Sequence, residues 1–127
     1  MPPPPQASLA ATLPFLPDSS LVNNIAKVSL DDVALRLQKD ASARAVIIGA
    51  ATDFELLRRL SPAMALRLAE ERAVHAKQYL VKQKGIARGR IEVRHGAGMH
   101  TASVWIVPQG ATFHGPGADF NESVIKR

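Results

Sequence analysis

The feature that most constrains the fold is a long amphipathic segment between Ser61 and Gly85. Ser61 followed by proline is a helix start signal, because a capping residue precedes a proline at the first helical position. Apolar residues then recur at helical spacing, and Gly85 supplies a left-handed cap. The recurring positions are Leu66, Ala69, Ala73, Ala76 and Leu80. Because most of these side chains are small, the helix can lie close against a sheet.

Three elements are predicted before this helix. Residues 8–16 carry apolar side chains interrupted by proline, which favours an edge strand or an extended arm. A first helix is predicted from Ser29, its N-cap, to about residue 40, because the apolar residues within 30–37 form one stripe. Residues 45–48 are an apolar run closed by Gly49, which is typical of a central strand covered by helices.

Two further strands are predicted after the long helix, at residues 90–94 and 101–107, joined by a glycine-containing hairpin loop. The order of elements is therefore β-α-β-α-β-β. Helices that alternate with strands imply crossovers and a partly parallel sheet, and the hairpin adds an antiparallel edge. The predicted fold class is α+β, a two-layer sandwich with a mixed sheet and the helices on one face.

The length of 127 residues suits one domain, and 46% hydrophobic residues can fill its core. We assign residues 1–8 to a Pro-rich linker, 9–107 to the domain, and 108–127 to a Gly/Pro-rich C-terminal tail that packs on the domain or trails it. The linker lacks the pattern of a secretory signal, and we expect the natural protein to continue upstream of it. No apolar run approaches the length of a membrane span.

The composition argues against several kinds of site. The net charge of +5 favours an anionic partner, but the basic residues are not interleaved with aromatic ones, so no nucleic-acid platform is indicated. A small basic nucleic-acid binder remains a minor alternative. The chain has no cysteine, and its four histidines match no strong metal motif. We recognise no nucleophile–base pair and predict no catalytic site, no metal and no cofactor.

Two motifs stand in a defined order along the chain. Gly49-Ala50-Ala51-Thr52-Asp53 follows the central strand, and the long helix carries Leu68, Arg72, Ala73 and Leu80 in register. This order resembles the OmpA-like (OmpA/MotB-like C-terminal) peptidoglycan-associating domain over about residues 30–107. The residues at 107–113, Val-Pro-Gln-Gly-Ala-Thr-Phe, resemble a divergent branch of that family.

The resemblance implies non-covalent binding of peptidoglycan through the diaminopimelate of its stem peptide. Asp53 would accept hydrogen bonds from the diaminopimelate ammonium, and Arg72 would bind the carboxylate with a two-pronged hydrogen bond. Thr52, beside Asp53, is the third predicted ligand-binding residue. The family also implies an envelope protein tethered to the cell wall, a periplasmic location associated with the outer membrane, and no enzymatic activity. A homodimer remains open.

The sequence also leaves a second interpretation open. Without the family, Arg72 beside two glutamates is a solvated surface arginine, and Asp53 is a turn or cap residue. This chain lacks the histidine that the family carries in its first motif, and Ala65 replaces the asparagine of the second. The alternative is therefore an OmpA-like structural or interaction domain that has lost peptidoglycan binding.

Overall fold

The computed structural model describes residues 5–52, 55, 61–97 and 101–125. These ranges contain five strands and two long helices. The strands are β1 (Ser8–Leu13), β2 (Arg44–Ala51), β3 (Ile91–Ala97), β4 (Ala102–Val107) and β5 (Ala118–Asp119), and the helices are α1 (Asn24–Lys39) and α2 (Pro62–Lys82). No helix in the described ranges is long and apolar enough to cross a membrane.

The strands form one mixed sheet in the order β1-β4-β2-β3-β5. The central strand β2 runs parallel to β3 and antiparallel to β4, while β1 and β5 are antiparallel edges. The two-layer α+β fold and its order of elements are therefore confirmed. The predicted hairpin of the last two strands is wrong, because β2 pairs with both β3 and β4 and lies between them. The two-residue strand β5 belongs to the C-terminal segment, to which the sequence patterns assigned no strand.

The sheet is apolar on both faces. Alternate residues of β2 to β4 pack against the helices, including Ala45, Ile47, Val93 and Val104. The intervening residues form a second cluster on the opposite face with the C-terminal segment, including Val46, Ile48, Val107 and Phe113. Because both faces are covered, the central strand is buried along nearly its entire length.

Helix α1 begins earlier than predicted. Its N-cap is Asn23, whose side chain accepts a hydrogen bond from the Ala26 N–H at 2.9 Å and donates one to the Pro14 carbonyl at 2.8 Å. The prediction of Ser29 as the N-cap is wrong, because Asn23 satisfies the first turn and anchors it to the end of β1. The added residues contribute one small buried side chain, Ala26, whereas Ile25 and Val28 are exposed.

Helix α2 begins and ends as predicted. Ser61 caps its N-terminus by accepting a hydrogen bond from the Met64 N–H at 3.2 Å, and Gly85 adopts a left-handed φ of 70°. The predicted buried face is confirmed except at Leu66, which is 44% exposed. The buried residues of α2 are Ala65, Leu68, Ala69, Arg72, Ala73, Val74, Ala76, Lys77 and Leu80. Arg72 therefore lies on the same buried face as the predicted apolar stripe.

Gly49 allows α2 to lie directly on β2. A Cβ atom added at Gly49 would lie 1.9 Å from the Ala69 carbonyl oxygen, closer than any side chain permits. The helix backbone therefore touches the strand backbone at this position. This contact sets Arg72, almost one turn further along α2, beside the carboxyl end of β2.

Candidate ligand-binding site

The Arg72 side chain is fully buried, and its guanidinium is saturated with hydrogen bonds. Nε donates to the Ser19 carbonyl at 2.9 Å. Nη1 donates to the Ala50 carbonyl and to Glu55 Oε1, both at 2.8 Å. Nη2 donates to the Leu16 carbonyl at 3.2 Å and to Glu55 Oε2 at 2.6 Å. A guanidinium has five N–H groups, so each one has an acceptor.

The Glu55 carboxylate is 1% exposed and is bound by more than Arg72. Oε1 accepts the Thr52 N–H at 2.9 Å and the Thr52 hydroxyl at 3.2 Å, and Oε2 accepts the Asp18 N–H at 2.7 Å. Burial alone would raise the pKa of Glu55. The hydrogen bonds from Arg72, Thr52 and Asp18 outweigh burial and lower this pKa to about 2. The Glu55 carboxylate is therefore ionised at neutral pH.

Thr52 and Glu55 bond to each other in both directions. The Glu55 N–H donates to the Thr52 hydroxyl at 3.3 Å, while the Glu55 carboxylate accepts the Thr52 N–H. This reciprocal pair is a capping box, which normally satisfies the first free N–H groups of a helix. It fixes the Glu55 side chain in the position where Arg72 meets it.

The donors around this carboxylate come from three parts of the fold. Arg72 lies on α2, Thr52 follows β2, and Asp18 lies in the connection between β1 and α1. Asp18 has a φ of 60°, a left-handed conformation that is strained for a residue other than glycine. That conformation accompanies a backbone N–H directed at Glu55. A buried ion pair needs such supporting bonds to offset its desolvation.

A small cavity of about 70 Å³ adjoins the carboxylate. Its lining residues are Phe15, Pro17, Thr52, Glu55 and Thr101. The Phe15 ring centre lies 5.5 Å from Arg72 Cζ, and the Thr101 hydroxyl accepts the Phe15 N–H at 2.9 Å. The cavity has room for about two water molecules or one small polar group. It therefore provides space for a second ligand group beside the carboxylate position.

The structure brings together two of the three predicted ligand-binding residues. Thr52 and Arg72 meet around the Glu55 carboxylate. Asp53 lies outside the described residues. The interpretation of Arg72 as a solvated surface residue is wrong, because α2 presents it to the sheet. Sequence reasoning missed Glu55, although Thr-x-x-Glu at 52–55 is the capping-box signature that could have revealed it.

The described parts of the chain contain no group of three or more His, Asp or Glu residues that could hold a metal ion. The donors around the carboxylate are one guanidinium, one hydroxyl and backbone N–H groups. Such a donor set binds a carboxylate.

The family model that matches the chain is that of the OmpA family, over residues 14–103. The chain belongs to the OmpA family. The resemblance inferred from the two sequence motifs is thereby confirmed. Among curated proteins, none matches this OmpA-family chain.

Solved structures share the fold of this OmpA-family chain at low sequence identity. The periplasmic domain of Helicobacter pylori MotB is 14% identical with a TM-score of 0.62, over 82% of this chain and 81% of that one. The peptidoglycan-associated lipoprotein from Burkholderia pseudomallei is 18% identical with a TM-score of 0.61, over 77% and 89%. The cell wall anchor of the T6SS from Pseudomonas aeruginosa is 15% identical with a TM-score of 0.57, over 76% of each chain. Identities this low establish the shared fold alone.

Proposed function

We propose that this OmpA-family domain binds peptidoglycan non-covalently through the diaminopimelate of the stem peptide, and so tethers an envelope protein to the cell wall. Family membership supports the proposal, as do two structural relatives named as a peptidoglycan-associated lipoprotein and a cell wall anchor. The observation that carries it is the two-pronged binding of a carboxylate by Arg72, next to a small cavity at the end of β2.

The chemistry of diaminopimelate fits these groups. Its free end carries an ammonium and a carboxylate on one carbon. Arg72 binds the carboxylate through parallel N–H···O bonds, which a lysine could not form. Thr52 adds its hydroxyl and backbone N–H, and Asp53 accepts hydrogen bonds from the ammonium. Each contact is weak in water, but repeated binding along a polymer raises the overall affinity.

The proposal places the domain in the periplasm, in a protein associated with the outer membrane, and gives it no catalytic role. The periplasmic domain of Helicobacter pylori MotB, named for that compartment, shares the fold and supports the placement. The net charge of +5 also favours a polymer that carries carboxylates.

Retention on purified sacculi tests the proposal, with Asp53→Asn as the site variant. The wild-type domain should co-sediment with sacculi, and Asp53→Asn should weaken the affinity for sacculi by up to about fivefold, because an ion pair in water contributes up to about 1 kcal/mol. Asp32→Asn removes the same charge from an exposed position on α1 and should leave retention unchanged. Failure of the wild type to co-sediment would overturn the proposal.

Arg72→Ala is less suitable for this test because the residue is buried. Breaking a buried ion pair by removing one partner costs about 3–5 kcal/mol of folding stability. Loss of retention in that variant would therefore not separate binding from folding.

A second candidate function is that of an OmpA-like structural or interaction domain without peptidoglycan binding. The saturation of all five Arg72 N–H groups by protein acceptors favours it, since no donor is left for a ligand in this conformation. The two functions differ in the sacculi assay, where the second gives no retention of the folded wild type.

A further inference from the structure

The donors that hold the Glu55 carboxylate form a complete binding site for a carboxylate. Two N–H groups come from Arg72, two donors come from Thr52, and one backbone N–H comes from Asp18. We call these donors of Asp18, Thr52 and Arg72 the "carboxylate seat". None of them belongs to Glu55 itself, so removal of the Glu55 side chain leaves the donors in place.

The seat also adjoins space. Glu55 forms part of the wall of the 70 Å³ cavity, together with Phe15, Pro17 and Thr101. A shorter side chain at position 55 would join the vacated volume to this cavity. The result is a pocket with a guanidinium at its base and room for a small carboxylate.

We propose that Glu55 is a built-in competitor for the carboxylate seat, and that an external carboxylate binds Arg72 only when it takes the place of the Glu55 side chain. This inference rests on the proposed function for the identity of the natural ligand, the zwitterionic end of diaminopimelate. It also reconciles a saturated Arg72 with a fold that a named cell wall anchor shares.

The competition has a predictable direction. An external carboxylate regains the hydrogen bonds that Glu55 gives up, so the exchange changes the bonding little. Glu55 has the advantage of being tethered beside the donors, so the state with an open seat is the minor one. If that state makes up about a tenth of the molecules or less, removal of Glu55 should raise the affinity for an external carboxylate by about tenfold or more.

The seat can be tested with acetate alone, independently of peptidoglycan. The melting temperature of Glu55→Ala should rise by about 3 °C or more in 0.2 M sodium acetate relative to sodium chloride at equal ionic strength, since a ligand that binds only the folded state stabilises it. Wild type, whose seat is full, should melt at the same temperature in both salts. If the melting temperature of Glu55→Ala is the same in both salts, the proposal is overturned.

Two further variants keep this test interpretable. Glu92→Ala is the matched control, because Glu92 also pairs with an arginine, Arg94, but at a partly exposed position. It should show no acetate effect. Should Glu55→Ala fail to fold in chloride, Glu55→Ser and the refolding yield in acetate against chloride provide the same comparison. Equal yields for both variants in the two salts would overturn the proposal.

Sacculi separate the competitor from the proposed function. These outcomes are read once acetate has been shown to stabilise Glu55→Ala. Stronger retention of this variant than of wild type then supports both the competitor role of Glu55 and the peptidoglycan-binding function. Retention of neither protein overturns the peptidoglycan function and leaves the seat supported by acetate. Retention of wild type that Glu55→Ala does not increase overturns the role of Glu55 as a competitor.

Discussion

The side chains of Arg72 and Glu55 join three parts of the chain that are distant in sequence. Arg72 reaches carbonyl oxygens at Leu16 and Ser19 before α1, and another at Ala50 in β2. The pair therefore acts as a buried polar link within an otherwise apolar core. Groups of this kind contribute to stability only while every donor and acceptor is satisfied.

Stability should depend on pH through Glu55. Its pKa falls from the usual 4.5 in the unfolded chain to about 2 in the fold, so the unfolded state binds more protons between these values. The stabilisation is present above pH 4.5 and is lost as the pH falls towards 2. The free energy of unfolding, measured with urea at several pH values in this range, should therefore fall less steeply with decreasing pH for Glu55→Gln than for wild type.

Other carboxylates do not obscure this comparison. Hydrogen bonds from Tyr79 and Ser42 lower the pKa values of Asp31 and Asp40, but both groups titrate in wild type and variant alike. Glu92→Gln serves as the surface control and should retain the wild-type slope. If the free energy of unfolding of wild type and Glu55→Gln depends equally on pH, the assignment of Glu55 as a stabilising ionised group is contradicted.

Sequence reasoning identified Arg72 but not its environment. The family register singled out the residue, whereas its burial depends on which face of α2 meets the sheet. The predicted apolar stripe included Leu66, which is exposed, and omitted Arg72, which is buried on the same face as Ala73. The spacing of Thr52 and Glu55 marks a capping box, but it carries no information on the contact of Glu55 with Arg72, which lies on another element.

Among the elements, β2 and α2 are the pair that sets the geometry of the site. Their backbones touch at Gly49, where a Cβ would also lie 2.9 Å from the Ala73 nitrogen. Backbone atoms in a helix cannot move aside as a flexible side chain can. The distance between strand and helix is therefore fixed by the absence of a side chain.

Gly49→Ala should destabilise the domain by about 3 kcal/mol or more, because overpacking against a backbone forces the whole helix to shift. Gly89→Ala is the matched control, since a Cβ there would meet nothing within 4 Å. It should change stability by no more than about 0.5 kcal/mol. Chemical denaturation of both variants measures the difference, and similar stabilities would refute the close approach.

Element ends were predictable where local chemistry decides them. Ser61, Pro62 and Gly85 act through their own backbone and neighbours, and their roles were clear from the sequence. The start of α1 was not predictable, because the Asn23 side chain is held in its capping position by a hydrogen bond to the Pro14 carbonyl, which forms only in the folded chain. The first turn also adds only one small residue, Ala26, to the buried stripe of the helix.

At the scale of the whole molecule, the C-terminal segment completes the sheet. Phe113 lies over the face opposite the helices, with its ring centre 5.4 Å from that of Trp105. Further along, Lys77 binds Glu122 at 2.9 Å and Arg67 donates to the Val124 carbonyl at 3.2 Å. The segment thus runs from the second face of the sheet back to α2.

Phe113→Ala should lower stability by about 3 kcal/mol, because it leaves a cavity over the sheet. Trp105 is the only tryptophan, so its fluorescence should shift to the red as water gains access to it. Leu35→Ala, at a 53% exposed position on α1, should change neither property appreciably. An unchanged emission spectrum for Phe113→Ala would show that the segment does not shield the indole.

The pairing of β1 with β4 has a consequence for the order in which the domain is assembled. Ser8 lies opposite Ile106, so the first strand finds its partner almost a hundred positions later in the chain. Contacts of such long range slow folding, since the intervening loop must close before they form. A polypeptide emerging from the ribosome amino end first must therefore hold β1 without its neighbour until almost the whole domain has been synthesised.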